Sequence, residues 1–213
     1  MQLVTPSVVF LGCTLEPLRL IELAGRTAYK SESKITVDSC VHFIEALIKS
    51  GHESVLEHAS VSFKVICDRG VTHELVRHRL ASYTQESTRY CNYYGGDGIQ
   101  FILPPEITDI EDKERFIIFL KQCENLYNYM IENKFKPQIA RQCLPNCLKT
   151  EIVVSANFRE WRHILKLRTA KNAHPHIRFV MFQVLKWFEN MYPVIVSDIT
   201  NYKDAKLEGF SND

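Results

Sequence analysis

Apolar positions divide this chain into short strands and amphipathic helices. Val8 to Leu11 is a brief apolar run that predicts a buried strand. From Pro17 to Tyr29, and again from Asp38 to Lys49, apolar residues recur at helical spacing, and Gly51 stops the second helix. Ala59 to Cys67 alternates, with Val61, Phe63 and Val65 apolar and Ser62 and Lys64 between them, as a half-exposed strand would. A short helix is expected after Gly70, running through Glu74 and Val76. Gly95-Gly96-Asp97-Gly98 predicts a turn, and Ile99 to Leu103 a strand ended by Pro104-Pro105. A long helix over Asp112 to Asn133 would bury Phe116, Leu120, Cys123, Tyr127 and Met130. Thr150 to Ser155 reads as a strand, Phe158 to Arg168 as a helix, and His176 to Asn190 as a helix whose apolar stripe is core.

Hairpin-like strands and grouped helices, in irregular alternation, predict an α+β fold rather than a doubly wound one. No repeat or low-complexity linker interrupts the chain, so residues 1–213 are expected to form a single domain with an antiparallel sheet. Apolar residues make up 46%, charged residues 24%, and the net charge is +1. That balance argues against a long nucleic-acid tract and leaves positive charge as a local feature. The seven cysteines are scattered, without zinc-ribbon or thioredoxin spacing. No signal peptide and no membrane-length apolar run is visible, so a cytoplasmic location is expected.

The densest chemistry lies in Arg77-His78-Arg79-Leu80-Ala81-Ser82-Tyr83-Thr84-Gln85-Glu86-Ser87-Thr88-Arg89, which holds three arginines and no lysine. Arginine offers a rigid fork of donors suited to phosphate and carboxylate, and stays charged at any workable pH. The cluster therefore points to phosphorylated ligands held by side chains. Gly-x-Gly-x-x-Gly after a strand and the P-loop pattern are both missing.

A second constellation runs from Asn157 to Arg168. Asn157 and Glu160 have the form of a capping box. Trp161, Ile164 and Leu165 set an apolar stripe whose next member is Arg168, a guanidinium that needs a carboxylate or a ligand beside it. Arg141 stands near a helix end. His52 and His58 are six apart and His73 and His78 five apart, which does not stack them as a zinc helix requires, and no metal is expected.

Arg77-His78-Arg79-x-x-Ser82-x-x-x-x-Ser87-x-Arg89 resembles the signature of the flavin-dependent thymidylate synthases, the ThyX family. His52-x-Ser54-x-x-Glu57-His58, Ala140-Arg141-x-x-Leu144-Pro145 and Asn157-x-Arg159 through His163 to Leu167-Arg168 fall in that family's order, so the resemblance covers most of the chain. It implies a homotetramer, with sites at subunit interfaces, that makes dTMP from dUMP. The carbon donor would be 5,10-methylenetetrahydrofolate, bound FAD the hydride carrier and NADPH the reductant.

By position, the resemblance implies FAD contacts from Ser54, Arg77, His78, Arg79, Gln85, Asn157, Arg159 and His163. It implies dUMP contacts from Glu74, Leu75, Val76, Arg77, Gln85, Glu86, Ser87, Thr88, Arg89, Arg141 and Arg168. Arg168 would sit against the uracil and favour loss of its N3 proton, and Ser87 would hold the nucleotide without acting as a nucleophile. Gln85 and His163 stand where some members carry Glu and Asn. Two rival readings use the same arginines. One is a non-enzymatic nucleotide or RNA-binding module with Tyr83, Tyr90, Tyr93 and Tyr94 as stacking platforms. The other is a flavin-dependent enzyme methylating uracil in RNA. Near-zero net charge disfavours nucleic acid as a partner.

Overall fold

The computed structural model describes residues 1–96 and 98–200. In chain order the strands are β1 (Gln2–Leu3), β2 (Ser7–Cys13), β3 (Ser60–Asp68), β4 (Ser82–Gln85), β5 (Gln100–Phe101) and β6 (Lys149–Asn157). The helices are α1 (Pro17–Thr27), α2 (Ser39–Lys49), α3 (Arg69–Leu75), α4 (Ile110–Glu132), α5 (Pro137–Ala140), α6 (Phe158–Arg168), α7 (Pro175–Met191) and α8 (Pro193–Val196). Among the described residues β2, β3, β6 and β4 form a four-stranded antiparallel sheet in that spatial order. The α+β expectation, with an antiparallel sheet, holds.

The alternation read in β3 is the alternation observed: Val61, Phe63, Val65 and Cys67 are buried, and across the ladder so are Ile152, Val154 and Ala156 of β6. This face packs on α6 and α7 through Trp161, Ile164, Leu165, Val180 and Val184. Trp161 also donates its indole N–H to the Val61 carbonyl at 3.0 Å, so the helix is keyed to the strand as well as packed on it. At Gly51 the backbone takes φ +73°, and the amides of Gly51 and His52 return to the carbonyls of Ile48 and Leu47. That is the Schellman ending a C-terminal glycine provides.

Several elements differ from expectation. The strand foreseen over residues 99–103 is only β5, because its partner β1 has two residues and Pro104-Pro105 follow. It pairs in parallel with β1, and Phe101, Leu120, Tyr127, Ala140 and Leu148 make a second apolar cluster beneath α4. The turn foreseen over residues 95–98 includes Asp97, which lies outside the described residues. The edge strand β4 was not foreseen: its four residues are too polar to show a period, and β6 supplies the ladder that makes them a strand. Among the described residues no helix is long and apolar enough to cross a membrane.

Candidate active site

Strand β3 ends at Asp68, and this residue sets the start of α3. Its Oδ1 accepts the Val71 N–H at 2.9 Å while Oδ2 meets His176 Nδ1 at 2.8 Å. Seven residues later the helix unwinds into the arginine motif. There the Tyr83 hydroxyl, coming from β4, is 2.7 Å from the Leu75 carbonyl and 3.0 Å from that of His78. Burial, with the nearby Glu160 carboxylate, pushes the Tyr83 phenol up to about 12, so it stays a donor. The result is a fixed turn in which His78 is 5% exposed while Arg77 and Arg79 on either side are exposed.

Arg168, at the last turn of α6, reaches this turn. Its Nε donates to His78 Nε2 at 2.9 Å, Nη1 to the Glu74 carboxylate at 2.6 Å, and Nη2 to the Glu74 carbonyl at 3.1 Å. Burial and the Arg168 charge push His78 down to about 4, so at neutral pH it is uncharged. Because Nε2 accepts, its proton sits on Nδ1, which faces Glu160 at 3.9 Å. Burial raises the Glu160 carboxyl, with His163 acting in the opposite direction.

His78, Glu160 and His163 place donor atoms within 4.8 Å of one another, a grouping that chain spacing concealed because His78 arrives from the end of α3. One ring nitrogen of His78 is taken by Arg168, whose charge opposes a cation there, and we assign no metal to it.

A cleft of about 700 Å³ opens beside this cluster, lined by Glu53, Glu57, Leu80, Asn157, Arg159, Glu160, Arg162, His163 and Lys166. Of the flavin contacts implied by the resemblance, Asn157, Arg159 and His163 meet here, with His78 5.7 Å from His163 ring to ring. Asn157 caps α6 by accepting the Glu160 N–H at 2.8 Å, as its spacing predicted. Arg159 pairs with Glu57 at 2.5 Å. Ser54, Arg77 and Arg79 are exposed and are not among the residues lining the cleft. Gln85 turns its amide inward, donating to Thr72 and Thr150 at 3.0 and 3.2 Å.

A smaller pocket of about 240 Å³ is lined by Arg69, Thr88, Arg141, Gln142, Leu144, Pro145, Asn146 and Leu148. Thr88 is 5% exposed and accepts from Arg141 Nη1 at 3.1 Å. Arg89 lies against Tyr90 and donates to Gln138 at 3.2 Å, and Ser87 Oγ accepts the Arg89 N–H at 3.3 Å. Glu86 is committed to Tyr93 at 2.6 Å, to the Glu151 N–H and to Lys149. Val76 is exposed, but the side chain of Leu75 is wholly buried in the core. Of Leu75, only the backbone is therefore offered at this turn.

Two expectations change on burial. The guanidinium sealed inside is Arg162, 1% exposed, bound by Glu53 at 2.8 Å, by Asp198 at 2.7 Å and by the Ile195 carbonyl. Arg168 keeps 18% of its side-chain exposure. Arg162 sits one step round the helix from the Trp161 and Leu165 stripe, a spacing compatible with burial. Of the tyrosines proposed to stack bases, Tyr83 and Tyr93 have their hydroxyls tied inside, while Tyr90 and Tyr94 are exposed.

The family model of the thymidylate synthase complementing proteins matches residues 10–194. A flavin-dependent thymidylate synthase of Geobacter sulfurreducens is 32% identical over 199 residues, covering 90% of this chain and 85% of the relative. One of Mycobacterium marinum is 34% identical over 198 residues, covering 84% and 78%. Among solved structures, the UMP/dUMP methylase PolB of Streptomyces cacaoi, bound with 5-Br dUMP, superposes with a TM-score of 0.78. It is 21% identical, with 99% of this chain and 100% of that one covered, a similarity that establishes the fold.

Proposed function

Because the chain belongs to the thymidylate synthase complementing proteins, the family of the flavin-dependent thymidylate synthases, we propose that it converts dUMP to dTMP by reductive methylation. In this reading 5,10-methylenetetrahydrofolate is the carbon donor, FAD is bound, and NADPH is the reductant. The observation that carries the reading is which arginines lack an internal carboxylate. Arg26, Arg159, Arg162 and Arg168 meet carboxylates at 2.5–2.8 Å. Among the described residues Arg77, Arg79, Arg89 and Arg141 have no carboxylate at that range, and Arg69 Nη1 is buried without any partner. Guanidinium groups left without counter-ions, of which Arg69 and Arg141 line the smaller pocket while Arg77, Arg79 and Arg89 are exposed, suit nucleotide phosphates.

Arg89, Arg141, Ser87 and Thr88 would hold the phosphate of dUMP. Arg77, Arg79, Asn157, Arg159 and His163 would hold FAD, with His78 beside them and Ser54 and Gln85 at its margin. FAD when bound supplies the hydride chemistry, and the protein supplies placement and charge. Arg168 would lie against the pyrimidine, where its charge lowers the cost of the negative charge that develops on losing the N3 proton. That the structurally similar Streptomyces protein is a UMP/dUMP methylase supports a pyrimidine nucleotide as ligand.

No thiolate is needed in this scheme. Burial raises Cys13, Cys67, Cys123, Cys143 and Cys147, Cys147 to about 11, so these groups stay protonated at neutral pH. Leu80, 79% exposed at the edge of the larger cleft, fits a site completed by a second chain in a homotetramer. An absorbance spectrum of the purified protein tests the reading. Flavin bands that bleach with NADPH and shift on addition of dUMP are expected. A protein that takes up no FAD and ignores dUMP refutes it.

A further inference from the structure

Arg168 is held from three directions before any ligand arrives. Its five N–H groups form one rigid plane. Nε binds His78 at 2.9 Å, Nη1 the Glu74 carboxylate at 2.6 Å and Nη2 the Glu74 carbonyl at 3.1 Å. Three bonds to a planar group fix its position, its tilt and its rotation, and two N–H groups remain to be donated elsewhere. Both holding residues leave the same turn, whose backbone the Tyr83 hydroxyl ties at Leu75 and His78. The clamp is therefore built on a rigid support, as a preorganised site requires.

We propose that Glu74 and His78 act as positioning residues for Arg168, holding its guanidinium plane so that the two remaining N–H groups face the bound pyrimidine. The inference rests on the reading of Arg168 as the group beside the base. His78 contributes by accepting a hydrogen bond, which only its neutral form with the proton on Nδ1 can do. A protonated His78 would present a second donor and a second positive charge to Arg168 Nε, and the contact would open. Glu74 contributes differently: its carboxylate and its own carbonyl grip two sides of one guanidinium, so rotation about the final bond of Arg168 would break both contacts together. Glu160 and His163 face the other side of His78 from α6 and complete the set of titratable groups around it.

This role separates from simple flavin contact or simple structural support by what a substitution spares. The variants are His78→Gln, which keeps an acceptor, His78→Leu, which does not, Glu74→Gln and Glu74→Ala. For each, kcat per bound flavin, the dUMP KM, flavin content and melting temperature would be measured. His78→Leu and Glu74→Ala are expected to lower kcat per flavin about ten-fold or more, because a small misplacement of a reacting group is costly. His78→Gln is expected to lose less kcat per flavin than His78→Leu, and Glu74→Gln less than Glu74→Ala. Equal kcat in His78→Gln and His78→Leu, or wild-type kcat per flavin in Glu74→Ala, overturns the proposal. If His78→Leu does not fold, the two Glu74 variants decide. A wild-type protein that binds neither FAD nor dUMP would instead remove the functional reading on which the inference stands.

Discussion

Replacing Arg168 by alanine separates chemistry from folding, because the structure assigns very different magnitudes to the two. In the fold the guanidinium makes three hydrogen bonds, two of them to Glu74. The Glu74 side chain keeps 25% exposure, so its carboxylate can rehydrate when the partner is removed. The structural loss is then about 1–2 kcal/mol, an exposed ion pair alone contributing less and a sealed one more. For a chain of this size that lowers the melting temperature by roughly 2–8 °C. Removal of a preorganised charge from the reacting region costs about 2.7–4 kcal/mol, or 10²–10³ in kcat. Arg168→Ala should therefore remain folded and flavin-loaded while dTMP formation falls at least about 100-fold. The assay is dTMP production by the flavin-loaded protein under NADPH and methylenetetrahydrofolate, read beside flavin absorbance and a melting curve. A kcat within three-fold of wild type, or a loss of flavin as complete as the loss of turnover, refutes the argument.

Arg89→Ala should weaken dUMP binding roughly 10- to 150-fold, the equivalent of one charge-assisted phosphate contact, and an unchanged dissociation constant in calorimetry would remove that contact. Cys91→Ser should keep full turnover, since the scheme uses no thiolate; complete inactivation would reopen nucleophilic catalysis. His176 is pressed down by burial but raised overall by its contacts with Asp68 at 2.8 Å and Glu106 at 3.2 Å. A raised folded pKa means its contribution is full below about pH 6.5, the unfolded value, and is lost as pH rises through the folded one. The melting temperature should accordingly fall more steeply above pH 6.5 in wild type than in His176→Gln, and parallel curves would count against the linkage. Arg162→Met should cost about 1–3 kcal/mol and roughly 2–12 °C, because the partly exposed Glu53 and Asp198 lose the charge that, against burial, helps hold Asp198 down to about 2; an unchanged melt would show the cluster to be dispensable.

Much of the scaffold was legible in local pattern. The β3 alternation, the stripe of α7, the Asn157 cap and the Gly51 stop depend on residues a few positions apart, and periodicity or backbone freedom reports such things directly. The density of arginine from Arg77 to Arg89 points to anionic ligands from the sequence alone. Other features were invisible for one physical reason: their partners lie far along the chain. Strand β4 exists because β6 offers it a ladder. The stripe position of Arg168 calls for a partner, but that Glu74, 94 residues away, and His78, 90 away, supply it depends on how α6 docks beside α3. Arg162 and Arg168 share one helix and one side-chain chemistry. Packing alone decided that the first would be sealed against Glu53 and Asp198 while the second kept 18% of its side-chain exposure and two N–H groups beyond its contacts with Glu74 and His78.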